Sequence, residues 1–438
     1  MSDQAIPSDG LSSDYWRARR DQLFLASCIA LIVTAMSFAI RGSLIDPLGK
    51  QFHLDNTQLG LITGTAFWGF ALATIIGGPL CDTVGMGRLL ALAFVGHAIG
   101  IVTTIFANGF WPLYIGTLAF GLANGMVEAA CNPLIATLYP DQKIKRLSLF
   151  HVWFPGGIVV GGLVAYAVGK THIGGTEHNW QVQMLTMVLP LLAYGVMFWG
   201  KKFPATERSA SGVTMGQMFG AVANPLFVVF VICMTMTAAT ELVTGQWMPS
   251  VVAATTGVGG DSILFLVWVN GLMAVGRSMA GQIVHRISPV MMLIGSSLFS
   301  AIGMFMLARA NSSATAAIAT TLFAVGVCFY WPTMLGVVSE RFPRTGALGL
   351  SVMGGAGMLS TAIWLPLIGH VRDDAAKHAT GVSADAAAAI GGRAGLSVLA
   401  VLPVIVLVVF IALFLYDQSR GGYKKEVLVQ HQDETATA

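Results

Sequence analysis

The stretch "LFLASCIALIVTAMSFAI", Leu23 to Ile40, is 18 residues long and contains no charged side chain. A run of this length is typical of a membrane-spanning helix, because about 20 residues at 1.5 Å per residue cross the hydrocarbon core. The run continues directly into Arg41 and Asp46 without a small-residue cleavage site, which argues against a cleaved signal peptide. We therefore expect this stretch to remain in the membrane as a helix.

The composition of the whole chain agrees with a membrane protein. Of its 438 residues, 55% are hydrophobic and 10% are charged, whereas soluble proteins carry about 25% charged residues. The apolar runs lack the alternation of barrel strands, so helices are predicted, since they satisfy their own backbone hydrogen bonds. The sequence predicts an all-α membrane protein with twelve spans, at residues 23–46, 58–80, 89–107, 111–139, 147–168, 183–200, 224–252, 262–284, 288–308, 314–338, 346–370 and 395–416.

The positions of lysine and arginine predict the orientation of the spans, because cytoplasmic loops carry an excess of both residues. Sixteen of the 24 basic residues fall on the side of the two termini, and six fall on the other side. We expect both termini in the cytoplasm and the protein in a bacterial inner membrane. This asymmetry accounts for the net charge of +3, so no nucleic-acid partner is expected.

The second half of the chain repeats the pattern of the first half at an offset of about 200 residues. For example, "GPLCD" (78–82) after the second span has a counterpart in "GQIVH" (281–285) after the eighth. Such a repeat is typical of transporters in which two bundles rock about a site at mid-membrane. In chain order we predict a cytoplasmic tail, a six-helix bundle, a cytoplasmic linker, a second six-helix bundle related to the first by a pseudo-two-fold axis, and a second tail, at residues 1–22, 23–200, 201–223, 224–416 and 417–438.

The segment "GPLCDTVGMGR" (78–88) resembles the loop motif of the major facilitator superfamily, with Asp82 and Arg88 at the charged positions of the motif. The resemblance implies the twelve-helix fold of that superfamily. It also implies that Asp82 and Arg88 act in gating at the cytoplasmic side.

Three further segments resemble helices 4, 5 and 7 of the fucose–proton symporter family: "GLANGMVEAACNPL" (121–134), "RLSLFHVWFPGG" (146–157) and "ATELVTGQW" (239–247). This resemblance implies a sugar substrate and coupling to protons. The chain departs from the family pattern at Arg41, near the place where the sugar–proton symporters carry an acidic residue in helix 1. An anionic substrate therefore stays open as an alternative.

Charged and amide side chains inside the spans are the candidates for function, since a charge at mid-membrane is costly and usually faces a cavity or a partner. Asn124, Glu128 and Asn132 are spaced i, i+4 and i+8, which places them on one face of a helix. We expect this face to line a substrate cavity; the alternative is a set of hydrogen bonds between helices. Arg41 and Glu241 are the other two charged candidates.

Arg41 and Glu241 lie at matching depths in the first and seventh spans, by the repeat. Arg41 could pair with Glu128, with Glu241 or with an anionic substrate. Two carboxylates and one guanidinium leave one negative charge, which a single proton would cancel. We expect Arg41 to be the counter-ion and Glu128 to be the coupling site, with a permanent structural ion pair as the alternative.

Four more residues are predicted to contact the substrate, because amide, imidazole and indole groups suit a hydroxylated ring. They are His151, Gln246, Trp247 and Asn270. His97 lies in an apolar run and is expected to form a hydrogen bond to a neighbouring helix.

The predicted function is a secondary active transporter that moves a small polar solute, a sugar or sugar derivative, by alternating access as a proton symporter. Its partners are the solute, protons and the lipid bilayer; we expect a monomer without cofactor or metal. One alternative is a carrier of an anion (a sugar acid, organic acid or phosphate ester) bound through Arg41, and another is a membrane sensor that binds its solute without moving it. No GxSxG, HExxH or Walker motif suggests an enzyme.

Overall fold

A computed structural model describes residues 13–139, 143–171, 180–204, 220–279 and 287–424, and these ranges contain helices without any strand. The α-helices are, in chain order, α1 (Ser13–Phe52), α2 (Asn56–Thr83), α3 (Met86–Ile105), α4 (Phe110–Leu138), α5 (Lys143–Gly169), α6 (Trp180–Thr186), α7 (Val188–Phe198), α8 (Pro225–Ala238), α9 (Thr244–Thr256), α10 (Ile263–Ser278), α11 (Pro289–Ala308), α12 (Ser313–Val327), α13 (Tyr330–Arg341), α14 (Gly346–His378), α15 (Ala384–Leu399) and α16 (Val401–Ser419). A π-helical turn, Ala239–Val243, joins α8 to α9.

Twelve helical stretches are long and apolar enough to cross a membrane, which confirms the predicted all-α architecture. Four of these spans consist of two consecutive helices: α6 with α7, α8 with α9, α12 with α13, and α15 with α16. The first helix, Ser13–Phe52, is longer than the predicted 23–46 and includes part of the predicted tail. The reason is that helical hydrogen bonding continues through polar residues, which an apolar pattern does not mark.

Two of the spans begin at capping boxes that are visible in the sequence. At the start of α2 the Asp55 side chain accepts a hydrogen bond from the Gln58 backbone, and the Gln58 side chain accepts one from the Asp55 backbone. Ser312 and Thr315 form the same pair of bonds at the start of α12. These bonds satisfy N–H groups that the first turn of a helix leaves free, so local sequence fixes where both helices begin.

Two large hydrophobic cores and one small one fill the described part of the molecule. One is built by residues between Trp16 and Phe198, all from the first six spans. The other is built mainly by the last six spans but also includes residues of α1 and α2, among them Phe38 and Phe67. Because α1 and α2 contribute to both large cores, they form apolar contacts between the halves. The small core, formed by Ala35, Ala39, Ile158, Ile263 and Leu266, adds contacts of α1 and α5 with α10.

Helices α2 and α14 come from opposite halves and pack backbone against backbone. A Cβ atom on Gly60 would lie 2.5 Å from the carbonyl oxygen of Leu365, and one on Gly64 would lie 2.9 Å from that of Ala362. Both distances are too short for any side chain, so glycine is required for this approach.

The end of the molecule where α14 finishes and α2 begins, here named the Asp373 end, is closed by polar contacts between the halves. The Asp373 carboxylate accepts hydrogen bonds from the backbone N–H and the side chain of both Asn56 and Thr57, at 2.7 to 3.0 Å. Four donors on one carboxylate bind the first turn of α2 to the last turns of α14.

Two more contacts join the halves at the Asp373 end. Ser250 of α9 donates a hydrogen bond to Asp46 of α1 at 2.7 Å and accepts one from Arg372 of α14 at 2.9 Å. Lys170 and Asp261, both exposed, form an ion pair of 2.5 Å between the end of α5 and the turn before α10. The structure is therefore in a conformation whose halves are locked together at this end.

At the opposite end, two polar contacts among the described residues each lie within one half. Tyr139 donates a hydrogen bond to Asp21 at 2.5 Å, which ties α4 to α1. Arg341 pairs with Asp417, which ties α13 to α16. These contacts hold each half together without joining the two.

Candidate substrate site

A cavity of about 40 Å³ lies between the halves, midway along the spans that enclose it. It is lined by residues of both halves, namely Phe38, Ala39, Phe67, Phe154, Ile158, Glu241, Leu242, Gly245, Gln246, Leu266, Val269, Asn270, Met273, Phe323 and Val327. Three of the residues singled out in the sequence, Glu241, Gln246 and Asn270, are thus brought together. Ligand pockets usually measure about 300–1,000 Å³, so the walls must move apart to admit a solute.

Glu241 lies in the π-helical turn Ala239–Val243, where the extra residue per turn interrupts the α-helix. Its Oε1 accepts a hydrogen bond of 3.1 Å from Nη2 of Arg277, and Nε of the same arginine donates to the Cys328 carbonyl at 3.0 Å. The other carboxylate oxygen of Glu241 is buried and has no hydrogen-bond partner among the described residues. The carboxylate is thus neutralised on one side and offers a free acceptor on the other.

Gln246 and Asn270 present amide groups to the same cavity. The Nε2 of Gln246 donates to the Phe38 carbonyl at 3.3 Å, while its buried Oε1 has no partner in the described ranges. The Nδ2 of Asn270 donates to the Leu266 carbonyl at 3.0 Å. The cavity therefore contains two acceptor oxygens, on Glu241 and Gln246, that a hydroxyl donor would satisfy.

The apolar part of the cavity wall consists largely of phenylalanine rings. Phe38 is centred 5.0 Å from Phe67 and 5.7 Å from Phe154, and Phe323 contributes a fourth ring from the second half. Flat aromatic faces suit the apolar face of a ring-shaped ligand.

His151 lies at the margin of this region. Its side chain is exposed, yet it is close enough to Arg277 of the opposite half for their charges to interact. The Arg277 guanidinium in turn contacts Glu241. The side chain of Ser148, one turn earlier, lies outside the described residues.

The structure does not form the expected ion pair between Arg41 and a glutamate. All three guanidinium nitrogens of Arg41 are buried without a hydrogen-bond partner among the described residues. Glu241 pairs with Arg277 instead, because the two side chains face each other from adjacent spans of one half. Arg41 points into a different cavity, within the first half, whose lining has no residue in common with the cavity between the halves.

The polar face of α4 does not line the cavity between the halves in this conformation. Asn124 is fully buried, and its side chain bonds His97 at 2.8 Å and Ser37 at 3.2 Å. Glu128 is half-buried beside Asn132, whose Oδ1 has no partner among the described residues. In this conformation Asn124 forms hydrogen bonds between helices, and its role in substrate binding stays a prediction.

Trp247 also lies away from the cavity lining. It is 1% exposed, and the guanidinium carbon of Arg372 lies 4.2 Å from its ring centroid. Its neighbour Gln246 faces the cavity because successive residues of a helix point in directions about 100° apart.

Two arginines that contact polar groups described above, Arg277 and Arg372, were not among the candidates from the sequence. Arg277 lies inside the predicted eighth span. Its position among apolar residues could have identified it as a charge that needs a partner. Arg372 lies just beyond the predicted eleventh span, so no such signal existed for it. Arg277 pairs with Glu241 of the preceding span, and Arg372 donates to Ser250, which in turn donates to Asp46.

The gating residues of the loop motif remain a prediction. Asp82 belongs to α2, but its side chain lies outside the described residues. Arg88 is exposed and its Nη1 donates to the Val84 carbonyl at 3.4 Å.

Comparison with known proteins places this fold and site in a family. The sequence model of the Major Facilitator Superfamily matches residues 27–365. The gentisate transporter of Corynebacterium glutamicum is 21% identical over 382 residues, which covers 84% of this chain and 85% of that protein. The gallate transporter of Pseudomonas putida is 24% identical over 411 residues, which covers 79% of this chain and 87% of that protein.

A solved structure agrees with the family match. The crystal structure of a D-xylose-proton symporter superposes with a TM-score of 0.73 and 16% identity, over 89% of this chain and 97% of that one. At this identity the likeness establishes the fold alone. The family match extends over most of the twelve spans, and the related proteins are transporters. The chain therefore belongs to the Major Facilitator Superfamily, and it is a membrane solute carrier, not an enzyme.

Proposed function

We propose that this transporter carries a small ring-shaped solute with several hydroxyl groups, a sugar or sugar derivative, in symport with protons. The observation that supports this proposal best is the pair of buried acceptor oxygens, Glu241 Oε2 and Gln246 Oε1, in the cavity between the halves. A buried acceptor without a donor costs about 1–3 kcal/mol. Solute hydroxyl groups would remove that cost, while the phenylalanine rings pack against the ring of the solute.

Alternating access supplies the route for the solute. The excess of basic residues on the side of the termini supports a cytoplasmic location for both, in a bacterial inner membrane. On that orientation the Asp373 end faces outward, and its interhalf hydrogen bonds must break before the cavity can open to the outside. The protein is proposed to do this as a monomer, since each half supplies part of one site.

Glu241 is the proposed coupling carboxylate. One oxygen is paired with Arg277 and the other is free to take a proton or to accept a solute hydroxyl. A proton and a solute would thus act on the same carboxylate, which links their binding. Glu128, the coupling residue expected from the sequence, lies within the first half and does not line the cavity between the halves.

The test is uptake into proteoliposomes with an imposed pH gradient. Glu241→Gln should abolish accumulation of the solute against its gradient while solute exchange continues, because glutamine keeps the shape and loses the titratable group. Glu128→Gln is the matched control and should accumulate solute as the wild type does. If Glu128→Gln loses accumulation and Glu241→Gln keeps it, Glu128 is the coupling site and the proposal for Glu241 is wrong.

A second candidate solute is a hydroxylated aromatic acid. The gentisate and gallate transporters, which match this chain along most of its length, are named for solutes of that class. Arg277, which contacts Glu241 at the cavity, would supply positive charge for the carboxylate. A thermal-shift panel of neutral sugars, sugar acids and hydroxybenzoates on the purified chain separates the candidates, since stabilisation by hydroxybenzoates alone would contradict the sugar proposal.

A further inference from the structure

The cavity that Arg41 enters lies inside the first half, walled by α1, α2, α3, α4 and α6. Its volume is about 20 Å³, and its polar lining, besides Arg41, consists of Ser37, Thr63, Thr104 and Thr117. A space of about 10–15 Å³ is enough for one water-sized particle. The cavity therefore suits a single small ion and is too small for a sugar or an aromatic ring.

The charge of Arg41 is not balanced by the protein around it. The residue is 7% exposed, and its Nε, Nη1 and Nη2 lack hydrogen-bond partners among the described residues. Arginine stays protonated in proteins, so the positive charge persists. Within the described part of the chain, no carboxylate lines this cavity.

The aromatic neighbours of Arg41 do not replace a counter-ion. The guanidinium carbon lies 4.9 Å from the ring centroid of Phe38 and 5.8 Å from that of Phe120. Such contacts attract the cation but accept none of the N–H bonds in the manner of an oxygen or a halide.

The polar network next to Arg41 is neutral, and both ring nitrogens of His97 have hydrogen-bond partners. The Nδ1 of His97 lies 2.9 Å from the Tyr194 hydroxyl, and its Nε2 lies 2.8 Å from Oδ1 of Asn124. The Nδ2 of Asn124 in turn donates to the Ser37 hydroxyl at 3.2 Å. Because Asn124 Oδ1 can only accept, Nε2 carries the ring proton and Nδ1 accepts from tyrosine, so the network brings no negative charge.

We propose that the Arg41 cavity binds a monovalent halide ion, chloride in the cell, which neutralises Arg41. The guanidinium supplies up to three N–H directions, and the hydroxyl groups of Thr104 and Thr117 line the same space as further donors. The ion would link α1 to α3 and α4 and so hold the first half together as one unit. This site is independent of the cavity between the halves and of the identity of the transported solute.

The test uses the purified full-length chain in detergent, with methanesulfonate as the only starting anion. Sodium bromide or chloride replaces sodium methanesulfonate at constant ionic strength while thermal unfolding is followed. The wild type should show a saturable rise in the unfolding midpoint, and Arg41→Met should show none. Thr104→Val keeps the charge and the shape, and it should raise the dissociation constant for bromide roughly tenfold through loss of one donor.

The matched control is Arg309→Met, which removes an exposed arginine whose Nη1 bonds the Phe305 carbonyl; it should respond to bromide as the wild type does. Equal midpoints in bromide and methanesulfonate would overturn the proposal, as would a response that survives in Arg41→Met. Competition between bromide and a transported carboxylate would also overturn it, by placing Arg41 in the transport site. If Arg41→Met does not fold, an unchanged bromide affinity in Thr104→Val contradicts the proposal.

Discussion

The two halves of this transporter treat their buried arginines differently. In the second half, Arg277 donates to Glu241 and to a backbone carbonyl, so its charge is matched by a neighbouring span. In the first half, Arg41 lies among phenylalanine and threonine side chains and has no hydrogen-bond partner in the described ranges. A repeated architecture therefore does not imply repeated electrostatics: Arg277 is paired within its own half, whereas Arg41 has no hydrogen-bond partner among the described residues, which agrees with the halide ion proposed for its cavity.

The largest expected effect on stability comes from breaking the ion pair of Arg277 and Glu241. Arg277→Met would leave the Glu241 carboxylate buried without its cation, and such a loss typically costs about 3–5 kcal/mol of unfolding free energy. Arg41→Met removes a charge that has no protein partner, so in halide-free buffer it should cost less than about 1 kcal/mol. Denaturant unfolding of both variants in one detergent measures the difference.

The double variant Arg277→Met, Glu241→Leu sharpens this comparison. It should recover most of the stability that Arg277→Met loses, because no buried charge remains. Equal destabilisation by Arg277→Met and Arg41→Met would show that the two arginines do not differ as described.

A smaller effect is expected at the Asp373 end. There the buried Asp373 carboxylate accepts hydrogen bonds from the uncharged groups of Asn56 and Thr57. Asp373→Asn replaces one acceptor oxygen by an amide and removes the charge that the four donors of Asn56 and Thr57 share. Hydrogen bonds to charged groups contribute about 1.5–3 kcal/mol, so the open population at this end should rise roughly tenfold or more. Spin-label distances between the exposed positions His53 and Thr380 report the opening.

Asp374→Asn is the matched control for this experiment. The Asp374 side chain is mostly exposed and its nearest charged contact is His378 at 3.6 Å, in the same helix. The control should keep the wild-type distance distribution. A wild-type distribution in Asp373→Asn would show that its hydrogen bonds do not hold the halves closed.

The smallest effect is expected from the exposed pair of Lys170 and Asp261. The Asp261 carboxylate accepts a hydrogen bond from Lys170 and raises the pKa of that lysine. Because the pKa of Lys170 is raised in the folded state, the ion pair stabilises the protein at neutral pH. This stabilisation is lost as the pH rises through the folded-state pKa of Lys170. Asp261→Asn should therefore change the unfolding midpoint slightly at neutral pH and low salt, and not at all at high salt. A large decrease in the unfolding midpoint of Asp261→Asn that persists at high salt would contradict the expectation that this pair has the smallest effect.

Much of the candidate site could be anticipated from single residues, but their partners could not. Glu241, Gln246 and Asn270 stood out as polar side chains in apolar spans, and all three line the cavity between the halves. His97 forms the interhelical hydrogen bond expected of it. The pairing of Glu241 with Arg277 and the burial of Asn124 were not predictable, because both depend on how packed spans are rotated about their axes.

The sequence by itself determined that the protein has twelve membrane-spanning helices, since apolar runs of sufficient length must satisfy their backbone hydrogen bonds within each helix. The starts of α2 and α12 are also fixed by local sequence, through their capping boxes, although the apolar pattern placed the starts of these spans at residues 58 and 314. Only the tertiary structure decided which charges meet. A side chain on a helix reaches partners chosen by crossing angles and rotation, so Arg277 found Glu241, Asp373 found the start of α2, and Arg41 was left without a partner of its own.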